Sequence, residues 1–123
     1  MKRYSTNELT NKRMNNSTYN QRRQVIEIIY DLKKSINLPR IDVRITNQHE
    51  RILGVARMED NIIWITENAL NESKNYLRHV VAHEIGHAVF GLKHDESCPL
   101  MKHTLSMESI ATKQQIITAL RNA

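Results

Sequence analysis

The sequence has a single cysteine, Cys98, among its 123 residues. No intrachain disulfide can form, so the fold must stand on its core, with a metal if one binds. Aromatic residues make up only 5 % of the chain. Basic residues are plentiful, and the net charge is +5, but they are scattered: Lys2, Arg3, Lys12, Arg13, Arg22, Arg23, Lys33, Lys34, Arg40 and Arg44. No dense basic run has aromatics between its members. That reads as a solvated basic face, not a dedicated nucleic-acid surface. No apolar run approaches the roughly 18 residues of a membrane helix, so no membrane partner is expected. The opening "MKRYSTNELTNKRMNN" has basic residues but no apolar stretch behind them, which is not the pattern of a secretory signal. A cytoplasmic or virion-associated protein is the expectation. Repeats and low-complexity tracts are missing too.

What is there suits one domain with a modest core. Residues 1–16 are polar and Asn-rich, and read as a flexible N-terminal arm. Residues 17–123 read as a single domain. Val25, Ile26, Ile29, Leu32 and Ile36 recur at three and four, a helical stripe. Ser17 or Thr18 can cap that helix, and Leu38-Pro39 stops it. Three short segments with strand character follow: "IDVRIT" at 41–46, "ILGVARM" at 52–58 and "NIIWIT" at 61–66. Their short polar connections suggest antiparallel pairing, most clearly for the last two. A second helix is expected from about Ser73 to Phe90. A third is expected in "SIATKQQIITAL". The fold class is α+β: a small, mostly antiparallel sheet with an N-terminal helix, an active-site helix and a C-terminal helix.

The chemistry concentrates in "VVAHEIGHAVFGLKHDESCPLM", residues 80–101. His83 and His87 are four apart, which on a helix sets them one turn apart on one face, about 5–6 Å between Cβ atoms. Two such imidazoles can converge on one zinc ion at about 2.0–2.1 Å each. Glu84 is turned about 100° from His83, so its carboxylate can reach a water on the metal without being a ligand. The competing reading is a helix that happens to carry two histidines and a glutamate. His79 shares the stripe, but at 1.5 Å rise per residue it lies about 12 Å from His87. It reads as a neighbour of the ligands or a surface residue. A third ligand must come from elsewhere. Gly91 can adopt the left-handed conformation that ends a helix, and His94, three residues on, can then swing under the metal. His103 and Glu108 are the other candidates.

These residues resemble the metzincins, and most of all a matrixin catalytic domain. That family carries His-Glu-x-x-His-x-x-Gly-x-x-His followed by a Met-turn. Here "HEIGHAVFGLKH" supplies His83, Glu84, Gly86, His87, Gly91 and His94, and "CPLM" supplies Met101. The resemblance extends over roughly Leu53 to Leu120. It implies a zincin-like fold, one catalytic zinc ion held by His83, His87 and His94, and Met101 as the hydrophobic base beneath it. In astacin-like relatives a tyrosine near the position of His103 touches the metal or the developing oxyanion. That makes His103 a candidate oxyanion donor or fifth ligand, against a plain solvated loop histidine. Two departures stand out. The glycine comes three residues after the second histidine in the family but four after His87 here, so one extra residue sits in "AVF" and bears on the direction of His94. The family's first strand and its calcium loops have no counterpart.

The implied function is a zinc endopeptidase in which Glu84 acts as general base and then acid on a zinc-activated water. By resemblance, a protein or peptide substrate pairs with an edge strand near Leu53–Arg57, and Val80 and Leu100 help to shape a side-chain pocket. Two alternatives remain. One is a non-catalytic zinc-binding module of a larger assembly, such as a phage particle, docked through the basic surface or the N-terminal arm. The other is a gluzincin-type peptidase with Glu108 as third ligand. Cys98 reads as a small turn or core residue, Asp95 as a turn or surface carboxylate, and His49 as a surface residue.

Overall fold

The computed structural model describes residues 16–47, 54–57, 61–103 and 105–123. His49, Leu53 and all but the last residue of the expected N-terminal arm lie outside the described residues. Helix α1 spans Asn16–Lys33. Its buried side chains are Val25, Ile28, Ile29 and Leu32, with Ile36 just beyond. Ile26, expected on this face, is 43 % exposed, and Ile28 takes the buried place. Helical phase explains the exchange: 25, 28, 29, 32 and 36 fall on one line, and 26 lies about 100° away from it.

Strands β1 (Asp42–Thr46), β2 (Gly54–Arg57) and β3 (Ile62–Thr66) form one sheet in the order β1-β3-β2. The sheet is mixed, which corrects the expectation of a mostly antiparallel one. β2 and β3 pair antiparallel, from Gly54 opposite Ile65 to Arg57 opposite Ile62. β1 and β3 pair parallel, from Asp42 opposite Ile62 to Thr46 opposite Thr66. Sequence alternation encodes which face of a strand is buried, and says nothing of strand order. β3 takes the centre, with Ile63 and Ile65 fully buried. Among the described residues β2 is left as an edge.

A short helix that hydropathy did not reveal, α2 (Glu67–Leu70), leaves β3 directly. The Thr66 hydroxyl caps it by accepting the Ala69 N–H at 3.4 Å. Helix α3 (Lys74–Ala88) follows, its first turn capped by Ser73 Oγ accepting from the Tyr76 N–H. It packs against α1, β2 and β3. Helix α4 (Lys113–Arg121) opens on a reciprocal cap between Thr112 and Gln115. It starts later than expected, because Met107–Ser109 is a separate 3-10 turn. Arg121 Nε donates to Ser35 O at 2.8 Å and Lys113 pairs with Asp31 at 2.8 Å, tying α4 to the end of α1. No helix among the described residues is long and apolar enough to cross a membrane.

The core is one cluster shared by both long helices, β3 and α4. Truncating its centre, Ile63→Ala, is expected to cost about 2–5 kcal/mol. Tyr30→Ala, at a residue 69 % exposed, is expected to stay within about 0.5 kcal/mol. Urea denaturation of both variants checks the assignment of the core.

Candidate metal centre

α3 presents its histidines along one face. His83 and His87 are half-buried near its C-terminal end, and their ring centroids are 4.7 Å apart. The helix stops at Ala88, and Gly91 follows with φ of 65°. The closing bond runs from the Leu92 N–H to Gly86 O, 2.9 Å. That is one residue wider than the Schellman closure of a helix end. The extra residue of "AVF" lies inside this turn. His94 arrives beside the pair: its ring is 5.3 Å from that of His83 and 4.9 Å from that of His87. One possible ligand atom from each of His83, His87 and His94 lies within 4.8 Å of the others. Glu108 is exposed on the 3-10 turn and does not belong to this group.

The loop that carries His94 also fixes the other two rings. His83 Nδ1 lies 2.8 Å from Leu100 O, and His87 Nδ1 lies 2.6 Å from Leu92 O. A carbonyl oxygen can only accept, so both Nδ1 atoms carry the proton. In the neutral rings both Nε2 atoms then hold lone pairs, yet they face each other at 3.1 Å. Two acceptors at that distance repel. A cation accepted by both removes the conflict, and neutral imidazole is what divalent zinc takes. The donor set therefore fits zinc. Sequence reasoning missed the two carbonyls, because every residue carries one and no side-chain pattern marks them.

The loop is braced internally. The Asp95 N–H donates to Met101 O at 2.8 Å, and Asp95 Oδ1 accepts from the Ser97 N–H and hydroxyl. Cys98 is a half-buried free thiol in the same turn. Met101 is buried and packs on Gly86, where an added Cβ would meet its Sδ at 2.9 Å. So the glycine between the two helix histidines leaves room for the methionine. Val80 and Leu100 are buried in the core, which corrects their expected place on a pocket wall. His103 is exposed. Its N–H donates to Glu96 Oε2 at 2.8 Å, and its ring stands edge-on to His94, 4.7 Å between centroids.

Besides Tyr76, whose phenol is raised by burial, two buried titratable groups sit on α3. Glu84 is 6 % exposed, and burial pushes its carboxyl up to about 7. No described residue gives it a hydrogen bond or an ion pair. His79 is buried, which corrects the surface reading. Its Nδ1 accepts the Ala111 N–H at 2.9 Å, joining α3 to the segment before α4. Burial, with a smaller contribution from His83, lowers its pKa to about 4. Burial also lowers His83, helped by His87, His94 and His103 and opposed by the bond to Leu100.

A family model for matrixin matches residues 11–119. The chain belongs to the matrixin family. Matrixins are zinc metallopeptidases, and this matrixin domain holds a three-histidine group able to bind a metal ion. No curated protein and no solved structure matches the chain.

Gly86→Ala is expected to destabilise the domain by about 1–3 kcal/mol through overpacking against Met101. Adding Met101→Ala should cost less in that background than in the native one, as a double-mutant cycle would show. His79 is neutral in the fold, so the unfolded chain binds the extra proton. The contribution of His79 to the stability of the metal-free domain should hold above pH 6.5 and decline as the pH falls towards 4, whereas that of Glu84 runs the other way and is lost as the pH rises towards 7. His79→Phe strands the Ala111 N–H and should cost about 1–3 kcal/mol at pH 7. It should also flatten that decline, which denaturation at several pH values would reveal.

Proposed function

We propose that this matrixin is a zinc-dependent endopeptidase whose ligands are His83, His87 and His94 and whose general base and acid is Glu84. The supporting observation is the pairing of two features on one helix. One is a pair of Nε2 lone pairs that need a cation. The other is the carboxyl of Glu84, a buried residue that no described residue pairs with by hydrogen bond or ion pair. A buried carboxyl without a partner costs stability. A purely structural zinc module has no use for one, so Glu84 favours the catalytic reading over the assembly module.

Zinc on the three histidines would supply the Lewis acid that acidifies water and polarises the scissile carbonyl. The residues of the chain do the rest. Glu84 accepts a proton from the attacking water as its oxygen bonds to the carbonyl carbon. Burial has already raised the affinity of Glu84 for that proton; a bound cation would draw it back down. When the C–N bond breaks, Glu84 returns the proton to the departing amine. The Leu100 and Leu92 carbonyls keep His83 and His87 in the tautomer that offers Nε2 throughout. Met101 fills the space against Gly86, between the two helix histidines in the sequence.

Substrate is assigned to the β2 edge. Among the described residues β2 pairs on one side only, antiparallel to β3, and it packs against α3. The opposite edge is less open: the Val43 carbonyl of β1 already accepts from Arg22 Nε at 3.0 Å. A peptide added to β2 would be read by its main chain.

Glu84→Gln is expected to retain zinc and to lose about 10²-fold or more in cleavage of an unfolded protein substrate; undiminished cleavage removes Glu84 from the role. His94→Ala should lose zinc while Glu108→Ala keeps it, and metal analysis of the two variants separates this reading from the gluzincin one.

A further inference from the structure

Helix α1 carries large apolar side chains on two faces. Val25, Ile28, Ile29 and Leu32 are buried, on the helix that packs against α3 and β1. On the far side Tyr19, Ile26 and Tyr30 are 57 %, 43 % and 69 % exposed, and these are the large hydrophobic side chains that stand exposed among the described residues. At 100° per residue the three fall within about 40° of one another on the helix. With the exposed Arg23 and Lys33 they form a line at positions 19, 23, 26, 30 and 33. Its spacing of four, three, four and three is the seam by which one helix pairs with another. Single apolar residues on a surface need no explanation, but an aligned stripe of them marks a contact surface.

Charge narrows the choice of partner. Residues 1–44 hold ten basic and four acidic side chains, a net charge of +6, while the remaining residues hold eight and nine, a net charge of −1. Around the seam stand Arg22, Arg23, Lys33 and Lys34 against Glu27 and Asp31. Both acids are already answered, Glu27 by Arg23 at 3.3 Å and Asp31 by Lys113 at 2.8 Å. Lys33 has no ion pair among the described residues, and the Lys34 ammonium stands 5.9 Å from the centre of the Tyr30 ring. Like charge therefore disfavours a second copy of this chain, and equally its own basic residues 1–15. A nucleic-acid backbone would meet the cations but offers no apolar contact to Ile26 at the middle of the seam. A membrane surface would have to take in Arg23, which lies within the seam between Tyr19 and Ile26.

We propose that the outer face of α1 is a docking seam for an amphipathic helix of another protein, with apolar residues along its own seam and acidic residues on its flanks. Ile26 and the two tyrosine rings supply the apolar contact, and Arg23, Lys33 and Lys34 answer the acids and set the direction of approach. The seam belongs to α1 and the metal centre to α3 and the loop after it, so docking leaves the metal centre free.

The probe is a fluorescein-labelled peptide of three Glu-Ile-Ala-Ala-Leu-Glu-Glu repeats, whose own like charges keep it from pairing with itself. Fluorescence anisotropy measures its binding to the full chain, beside a peptide of the same composition scrambled so that Ile and Leu share no face. The variants are Ile26→Ser with Tyr30→Ser, and Lys33→Gln with Lys34→Gln, each checked for folding by far-UV circular dichroism. The expected result is saturable binding of the patterned peptide, weakened about tenfold or more by scrambling and by either pair of substitutions. Equal binding of both peptides, or none of the patterned one, overturns the proposal. So does binding that ignores the Ile26 and Tyr30 substitutions, because the attraction would then be charge alone. Tighter binding of a single-stranded oligonucleotide or of phosphatidylserine vesicles, lost in the same variants, gives the face to that partner and overturns the proposal. Sedimentation showing a dimer of the chain that Ile26→Ser with Tyr30→Ser dissolves gives it to a second copy, with the same consequence.

Discussion

Two backbone carbonyls control the site. Leu92 O and Leu100 O each take the Nδ1 proton of a helix histidine, and by doing so they turn both Nε2 lone pairs towards one point. Both carbonyls belong to the loop that follows α3, and the same loop brings His94. The stretch from Leu92 to Leu100 therefore sets tautomer, ring orientation and the third donor at once. Everything else near the site serves that loop. Gly91 turns it off the helix, the Asp95–Met101 bond closes it, and Met101 anchors its end in the notch left by Gly86.

The helix beneath is where stability and chemistry conflict. α3 buries most of its residues against α1 and the sheet. Within that buried face it carries a carboxyl raised to about 7 and a histidine lowered to about 4. His79 recovers part of its cost by accepting the Ala111 N–H. Glu84 recovers nothing from the described protein. Such an unreturned cost is the mark of a group kept for its reactivity. The small domain can bear it because β3, α1 and α4 supply an uninterrupted apolar core around the helix.

Much of this was legible in the residues alone. The i, i+4 histidines with Glu84 between them announce a zinc site by helix geometry, and the arithmetic of helical rise sends the search for a third ligand beyond Gly91. The helices at 16–33 and 74–88 follow from apolar spacing, but Ser17 and Thr18, expected to cap the first, lie inside it, and it ends at Lys33, ahead of Leu38-Pro39. Other features were not legible, for stated physical reasons. Strand order is long-range information, so the parallel β1–β3 pairing could not be read from alternation. Ile26 and Ile28 are exchanged because a stripe read by eye tolerates a phase error that a packed helix does not. The extra residue in "AVF" looked like a threat to His94 because side-chain spacing cannot show that the Leu92 N–H would reach back to Gly86 O. The Leu92 and Leu100 carbonyls and the burial of His79 leave no side-chain pattern at all.

The most direct measurement is nitrogen-15 NMR of the histidine rings, recorded without zinc and then with one equivalent. His83 and His87 are predicted to be Nδ1-protonated in both spectra, with the Nε2 resonances of His83, His87 and His94 moving together when zinc is added. A proton on Nε2 of His83 or His87, or a zinc-induced shift that leaves His94 untouched, would contradict the site described here.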